Sequence, residues 1–420
     1  VETTEDAAHQ LAFFEGIGAL DVLLTLPERL GTVSPDDVLA VAQRYLAPER
    51  RTIAWYRPGA TGEPAPAATS PAAIAPPAPG PVDETPTAPP VSARLRGGVP
   101  VVLQASDFSP TVEVRVLVPG NALSAPGFVT PEPGVLALTA RGSAREFAHL
   151  VRQAGSTLSG ARHVDTTFTP ASLDPETRLH EEFAAIMQPW SPAAGSKAAP
   201  AVIAVAGDVD AEAAVRQLDN VFGDADASAL PKIERVAAPT GVRRVALGVP
   251  VAQSQLGYVV AAPGPRDDGW LATRLLLYIF AHDYEGRFGK EAISRRGLAY
   301  YVDARYTSNG GPGWITLGVG VDPPKAAALE ALLRSELDRL GTEPPTAQEI
   351  ADARQHFLGR AASAAQSNGE LAGKLARHWL WHGELPSVEK LDAELAAVSR
   401  DDVLAAIPAF VDGLVLTVTP

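Results

Sequence analysis

Hydrophobic and polar positions recur along this chain with two periods, and one stretch has no period at all. Val112-Glu113-Val114-Arg115-Val116-Leu117-Val118 alternates and reads as a strand. Val101-Val102-Leu103 precedes it, and the spacing predicts a hairpin closed by Asp107-Phe108-Ser109-Pro110. Ala201-Val202-Ile203-Ala204-Val205-Ala206 is apolar throughout, as a strand buried on both faces would be, and runs into Gly207-Asp208-Val209-Asp210, which caps a helix to about 222. Helical periodicity predicts helices over 133–141, 144–157 and 175–187, then over 268–282, 324–340, 346–365, 370–382 and 387–395. Further strands are predicted at 255–260, 300–306 and 314–321. Strands and helices mix without strict alternation, which predicts α+β units with helices packed on mixed sheets.

The stretch without a period runs from Pro58 to Pro90. It is almost entirely Pro, Ala, Gly, Thr and Ser, with eleven prolines. It cannot bury enough side chain to offset ordering, so it reads as an extended linker. The organisation expected is therefore a short piece (1–57), a linker (58–92), a first α/β unit (93–242) and a second (243–420).

The short piece and the end of the chain share a repeat. Leu26-x-x-x-Leu30-x-x-Val33-Ser34-x-Asp36-Asp37-Val38-Leu39-Ala40 matches Leu391-x-x-x-Leu395-x-x-Val398-Ser399-x-Asp401-Asp402-Val403-Leu404-Ala405. Ser34 and Ser399 are N-cap residues, Pro35 suits the first helical position, and the Asp pairs suit a helix N-terminus. Val38, Val41, Ala42 and Tyr45 then share one helical face. A strand-forming run follows each helix, Thr52–Tyr56 and Leu414–Val418. Two helices and a strand bury little alone. Either the upstream part of this first copy is another polypeptide, separate or cleaved, or 1–57 packs on the larger piece. The start at Val1 suits a processed product.

Composition narrows the function classes. At 420 residues with 46% hydrophobic and 20% charged residues, most of the chain can fold around real cores. The net charge of −14 argues against a nucleic-acid or anionic-membrane partner. No apolar run approaches the roughly 20 residues of a bilayer span. The absence of cysteine excludes disulfides, Cys-ligated zinc and thiol catalysis. Only six of 35 basic residues are Lys, a usage associated with GC-rich bacterial genomes. Together with the Pro-rich linker, the cysteine-free composition points to an extracytoplasmic bacterial location, periplasmic or secreted.

Arg295-Arg296-Gly297-Leu298-Ala299-Tyr300, the preceding Gly286-Arg287-Phe288, the strand end Val205-Ala206-Gly207-Asp208-Val209 and the Val-Ser-x-Asp-Asp-Val tail occur in one order. In that order and spacing they resemble the insulinase/pitrilysin-type zinc metallopeptidases. The resemblance covers about 93–420 as a second homologous half and 1–57 as the end of a first. It implies a fold of repeated metallopeptidase-type α/β units. It also implies a catalytic half carrying His-x-x-Glu-His, whose His residues hold zinc and whose Glu is the general base. This chain has no such motif. The corresponding helix is expected at 134–141, with Ala137, Ala140 and Arg141 standing where His, Glu and His belong. This half is therefore expected to hold no metal and no catalytic residues, with zinc only in a partner half.

What the resemblance assigns to a second half is an Arg–Tyr pair directed at substrate, the Tyr seven residues after the Arg. Tyr300 matches the Tyr, but Ile293 occupies the Arg position. Arg295 and Arg296 are the nearby substitutes, so Tyr300, Arg295 and Arg296 are the candidate peptide-binding residues. Tyr300 reads equally as an oxyanion contact or as a strand aromatic beside Tyr301. The implied roles are closing a chamber opposite the zinc-bearing half and binding peptide added to a sheet edge. The resemblance also admits a scaffold subunit or a peptide-binding module with no proteolytic role.

Other constellations are weaker. His378 and His382 share a helical face as a possible metal pair, with no carboxylate in the motif and with Trp379 and Trp381 on other faces. His180-Glu181-Glu182 lacks a second His, and His282-Asp283-Tyr284-Glu285 reads as a helix end. Gly310-Gly311-Pro312-Gly313 reads as a turn between strands.

Overall fold

Every residue of Val202–Gly207 is buried, so this run needs strands on both edges and cover on both faces. The computed structural model supplies all four. It describes residues 4–46, 88–107, 109–132, 134–164, 169–187, 192–227, 239–282, 284–363 and 367–420. The chain divides into two units, Val1–Pro86 and Thr87–Pro420. The run at 52–56 and the linker up to residue 87 lie outside the described residues.

The first unit contains helices α1 (Thr4–Gly16), α2 (Leu20–Gly31) and α3 (Pro35–Tyr45). Ser34 caps α3 in a capping box with Asp37, and Pro35 opens the helix.

The second unit has two modules. The first contains β1 (Val91–Arg94), β2 (Pro100–Ala105), β3 (Thr111–Pro119), β4 (Phe128–Glu132), β5 (Val135–Ser143), α4 (Phe147–Gly160), α5 (Pro175–Met187), β6 (Val202–Gly207) and α6 (Ala211–Phe222). The sheet order is β1-β2-β6-β3-β5-β4. β6 lies between β2 and β3, parallel to the former and antiparallel to the latter. The expected β2–β3 hairpin is therefore corrected: the all-apolar β6 takes the central place, with β2 on one flank and β3 on the other.

A second correction concerns 133–141. From Val135 on it belongs to the strand β5, paired along its length with β3, and not to a helix. Val135, Leu136, Ala137 and Leu138 are all buried because both faces of the sheet are covered there. From Thr139 to Ser143 exposure alternates with period two. An apolar quartet satisfies a buried strand as well as a helix, which is where the periodicity misleads. On one sheet face Val112, Val114, Val116, Ile203 and Val205 pack under α4 and α6.

The second module contains β7 (Gly241–Ala246), β8 (Ser254–Ala262), α7 (Trp270–Ala281), the single turn α8 (Arg287–Gly289), β9 (Asp303–Thr307), β10 (Gly313–Val321), α9 (Ala326–Thr342), α10 (Ala347–Ser363), α11 (Asn368–His382), α12 (Val388–Ala397), α13 (Arg400–Val411) and β11 (Leu414–Thr419). Its sheet runs β7-β11-β8-β10-β9, with β7 parallel to β11. The Ser308–Pro312 segment joins β9 to β10 as the expected turn. One face packs under α7, α9 and α13. Ser399 caps α13 with Asp402, the same capping box as Ser34 and Asp37, so the repeat holds at the level of the cap.

The modules exchange their covering helices. α11, from the second, lies on Val102, Leu117, Ala137 and Ala204 of the first sheet. α5, from the first, lies on Val259, Leu416 and Val418 of the second. The packing is close: a Cβ on Gly257 of β8 would stand 2.5 Å from Leu179 Cδ1 of α5.

Candidate functional site

The segment that carries the sequence resemblance begins where α7 ends. Phe288 is fully buried and stacks on Phe280 at 5.9 Å. Arg287 grips the Glu349 carboxylate through two bonds of 2.7 and 2.8 Å. A π-helical turn, Lys290–Arg295, follows. Gly297 closes it at φ +57, in the left-handed region that suits glycine. The Leu298 and Ala299 N–H groups then both donate to Ala292 O, at 2.8 and 3.2 Å.

This turn disposes of the three candidates differently. Arg295 and Arg296 both pair with the buried Glu291, the latter at 3.4 Å. Burial pushes the Glu291 carboxyl up, and the two guanidinium groups outweigh it, leaving it below its ordinary range. Both arginines thus have an intramolecular partner. Ile293, at the position where the resemblance expects Arg, packs against the core. Tyr300 is 85% exposed and precedes β9; the strand begins at Asp303, three residues later than the sequence pattern suggests. Ala299 and Val302, on either side of the two tyrosines, are buried and anchor the segment. The structure brings Arg295 and Arg296 together on Glu291 and presents Tyr300 to solvent.

β9 is an edge strand of the second sheet, and β4 is an edge strand of the first. A cavity of 370 Å³ is lined by Asp303, Arg305 and Thr307 of β9, Thr130 and Pro131 of β4, and His180 and Phe183 of α5. Thr316 and Gly318 of β10 line it as well, so it lies against the face of the second sheet beside the β9 edge, while the unpaired backbone groups of that edge lie in the plane of the sheet.

Zinc does not fit the expected positions. Ala137 and Ala140 carry no ligand atom, and with Arg141 they lie on a strand, paired to Leu117, Val114 and Glu113. Among the described residues no group of three or more His, Asp or Glu side chains could hold a metal. Glu182 of the His180-Glu181-Glu182 run is buried against Arg178 and Arg243. Glu181 accepts from the backbone N–H groups of Ala171 and Ser172. His282 packs on Tyr278 and His356, and Asp283 lies outside the described residues.

A second cavity, of 670 Å³, lies along α11. His378 and His382 line it with ring centroids 4.5 Å apart. Trp381 lines the same cavity, contrary to its expected place on another face, because the helix end is enclosed by Trp270 and Tyr306. Burial and the neighbouring charges push both imidazoles down, His378 to about 4. Arg274, which the sequence gives no reason to single out, lies over the rings of Phe357, Trp270, Tyr306 and Trp381 at 4.7–6.0 Å. These positions are far apart in sequence, so no local spacing announces them.

Residues 197–357 match the family described as the peptidase M16 inactive domain. An uncharacterized zinc protease of Streptomyces coelicolor is 27% identical over 211 residues, 49% of this chain and 46% of the relative. The chain thus spans about half the length of the curated relative it matches. A solved peptidase M16 inactive domain from Pseudomonas fluorescens gives a TM-score of 0.59 at 17% identity, over 79% of this chain and 98% of that one. The periplasmic protease PqqL of Escherichia coli gives 0.54 at 12% identity, over 92% of this chain and 51% of that one. At these identities the two structures establish the fold.

Proposed function

We propose that this chain, which belongs to the insulinase/pitrilysin-type peptidase M16 family in its inactive form, is the zinc-free half of a two-half peptidase. It closes a chamber opposite a zinc-bearing homologous half and holds peptide there. The observation that carries the reading is the bare face of α3. Val403 and Phe410 of α13 are 0% and 3% exposed, under α7, α9 and the second sheet. Their repeat equivalents Val38 and Tyr45 are 60% and 57% exposed, and no described element of the first unit covers them. A homologous half would supply to α3 what the second module supplies to α13.

The peptide would add to the β9 edge, next to the concavity shared with β4, with Tyr300 just before that strand. As an edge strand, β9 offers backbone groups on its open side, which suits backbone pairing. Zinc and the proteolytic step belong to the partner. An extracytoplasmic location is part of this proposal, supported by the cysteine-free sequence and the likeness to a periplasmic protease. Among the described residues no single helix is long and apolar enough to cross a membrane.

Native mass spectrometry with metal retention, on protein from its natural source, tests the reading. The expected species contains this chain, a homologous chain carrying His-x-x-Glu-His, and one zinc, and it cleaves unfolded peptides. A zinc-free species with the mass of this chain alone would overturn it. One observation favours a scaffold role instead: Ile293 and the engaged Arg295 and Arg296 leave Tyr300 without a cationic companion. A zinc-bearing complex that cleaves equally well with Tyr300→Phe and with β9 blocked by Thr307→Pro would favour that second role.

A further inference from the structure

We propose that the α11 cavity binds a ligand with a terminal carboxylate on an apolar body, either a small organic acid or the C-terminal residue of a peptide. The inference needs no partner half and stands apart from the β9 edge.

Two residues that line this cavity each carry a buried polar atom with no hydrogen-bond partner among the described residues, Trp270 Nε1 and His378 Nε2. Trp270 is 7% exposed, and its indole N–H can only donate, so whatever satisfies it must bring an acceptor. Native proteins pair nearly all such atoms, so these two leave hydrogen-bonding capacity beside the cavity. The two belong to one contiguous wall: Trp270 contacts His382 at 5.2 Å, and His382 contacts His378 at 4.5 Å.

The charges in the wall favour an anion. The half-buried Lys374 ammonium, one helical turn before His378, donates to Ala361 O at 2.8 Å and has further protons to give. The Arg274 guanidinium lies over the Trp270 ring at 5.3 Å. The three acids sit at the exposed side and are engaged: Glu384 and Glu394 pair with Lys390, and Glu389 accepts from Ser387. Apolar surface for the rest of the ligand comes from Leu371, Leu391 and the Pro89-Pro90 segment, which Gln104 fixes by donating to Ala88 O at 3.0 Å. At 670 Å³ the cavity lies within the range of small-ligand sites.

A metal ion is the poorer occupant. Burial is the main effect disfavouring positive charge on the two imidazoles; Lys390 and Lys374 add to it at His378, Arg266, Lys390 and Arg274 add to it at His382, and Glu384 opposes it at both. The same field that repels a dication attracts a carboxylate.

The full chain is titrated with N-acetyl-phenylalanine, with Ala-Ala-Phe bearing a free C-terminus, and with the amide of each, followed by calorimetry and tryptophan fluorescence. Saturable binding of a free acid, at least tenfold tighter than its amide, is expected. Lys374→Met should remove that preference, and Trp270→Phe should weaken the acid; Lys374→Met carries the test where Trp270→Phe does not fold. Binding of the peptide alone identifies a C-terminus as the ligand, and binding of N-acetyl-phenylalanine identifies a small acid. No saturable binding of either acid, equal affinity for acid and amide, or an unchanged preference in Lys374→Met would overturn the proposal and leave a cavity filled by solvent.

Discussion

Replacing Glu349 with Gln tests the Arg287–Glu349 pair, which ties α8 to the start of α10. The Arg287 side chain is 11% exposed and that of Glu349 is 32%. Arg287 also donates to Glu343 O at 2.5 Å and Pro344 O at 3.4 Å. Glu349 in turn accepts from Thr346 N at 2.8 Å and closes the capping box of α10. The Arg287 hydrogen bonds, working against burial and helped by Thr346, bring the Glu349 carboxyl from 4.5 to about 2. At about 1.4 kcal/mol per pH unit, that fall bounds the contribution at about 3.5 kcal/mol. Partial exposure screens it, so about 2 kcal/mol is the working figure. The folded-state value lies below the unfolded one. The stabilisation is therefore complete above about pH 5 and lost as pH falls towards about 2. Urea unfolding of wild type and Glu349→Gln, compared across that range, should show a difference of about 2 kcal/mol at neutral pH that shrinks on acidification. A difference under about 0.5 kcal/mol at neutral pH, or one that stays constant as the carboxylate titrates, would refute the reasoning.

Gly257→Val would drive a side chain into Leu179 and Phe183, and should cost about 2–3 kcal/mol in urea unfolding; an unchanged midpoint would mean that α5 does not sit on β8 as described. Tyr258→Phe removes the buried hydroxyl that donates to Phe410 O at 2.5 Å and should cost about 1–2 kcal/mol by the same assay. Val403→Asp places a charge under α13 and should cost about 3–5 kcal/mol, whereas Val38→Asp at the equivalent place should leave unfolding unchanged and abolish assembly with the zinc-bearing half. Equal destabilisation by the two Asp variants would show that α3 is already covered.

The helices with clean periodicity were legible, and so were the caps, because Ser34-x-x-Asp37 and Ser399-x-x-Asp402 satisfy backbone donors locally. Strand pairing was not. A short segment between 101–103 and 112–118 suggests a hairpin, but only tertiary structure reveals that β6, some ninety residues on, claims the place between them. Val135–Leu138 misled for a related reason: cover on both faces erases the alternation that marks a strand. Of the candidate site, Tyr300 stood out in a distinctive run, but its exposure did not: the sequence read equally as a strand aromatic beside Tyr301, and the strand starts only at Asp303. The capture of Arg295 and Arg296 by Glu291 depends on a π-helical turn that no spacing rule announces.

The exchange of α5 and α11 has a thermodynamic consequence for the second unit. Without α11, the first sheet would bare Val102, Leu117, Ala137 and Ala204, and Leu371, Leu375, Leu380 and Trp381 would lose their cover. At about 1.5–3 kcal/mol per large apolar side chain, that is about 6–12 kcal/mol for those four, comparable to the whole stability of a domain. Without α5, the second sheet would bare Val259, Leu416 and Val418, and Arg243 would lose its 2.8 Å pairing with the buried Glu182. Neither module can then lose its structure while the other keeps its own. Residues 87–420 should melt in a single calorimetric transition whose van't Hoff and calorimetric enthalpies agree, despite containing two sheets. Two resolved transitions would mean that the exchanged helices contribute far less than their burial implies. A fragment of 239–420 that folds with native-like near-ultraviolet dichroism would show the same thing independently, since it lacks α5 altogether.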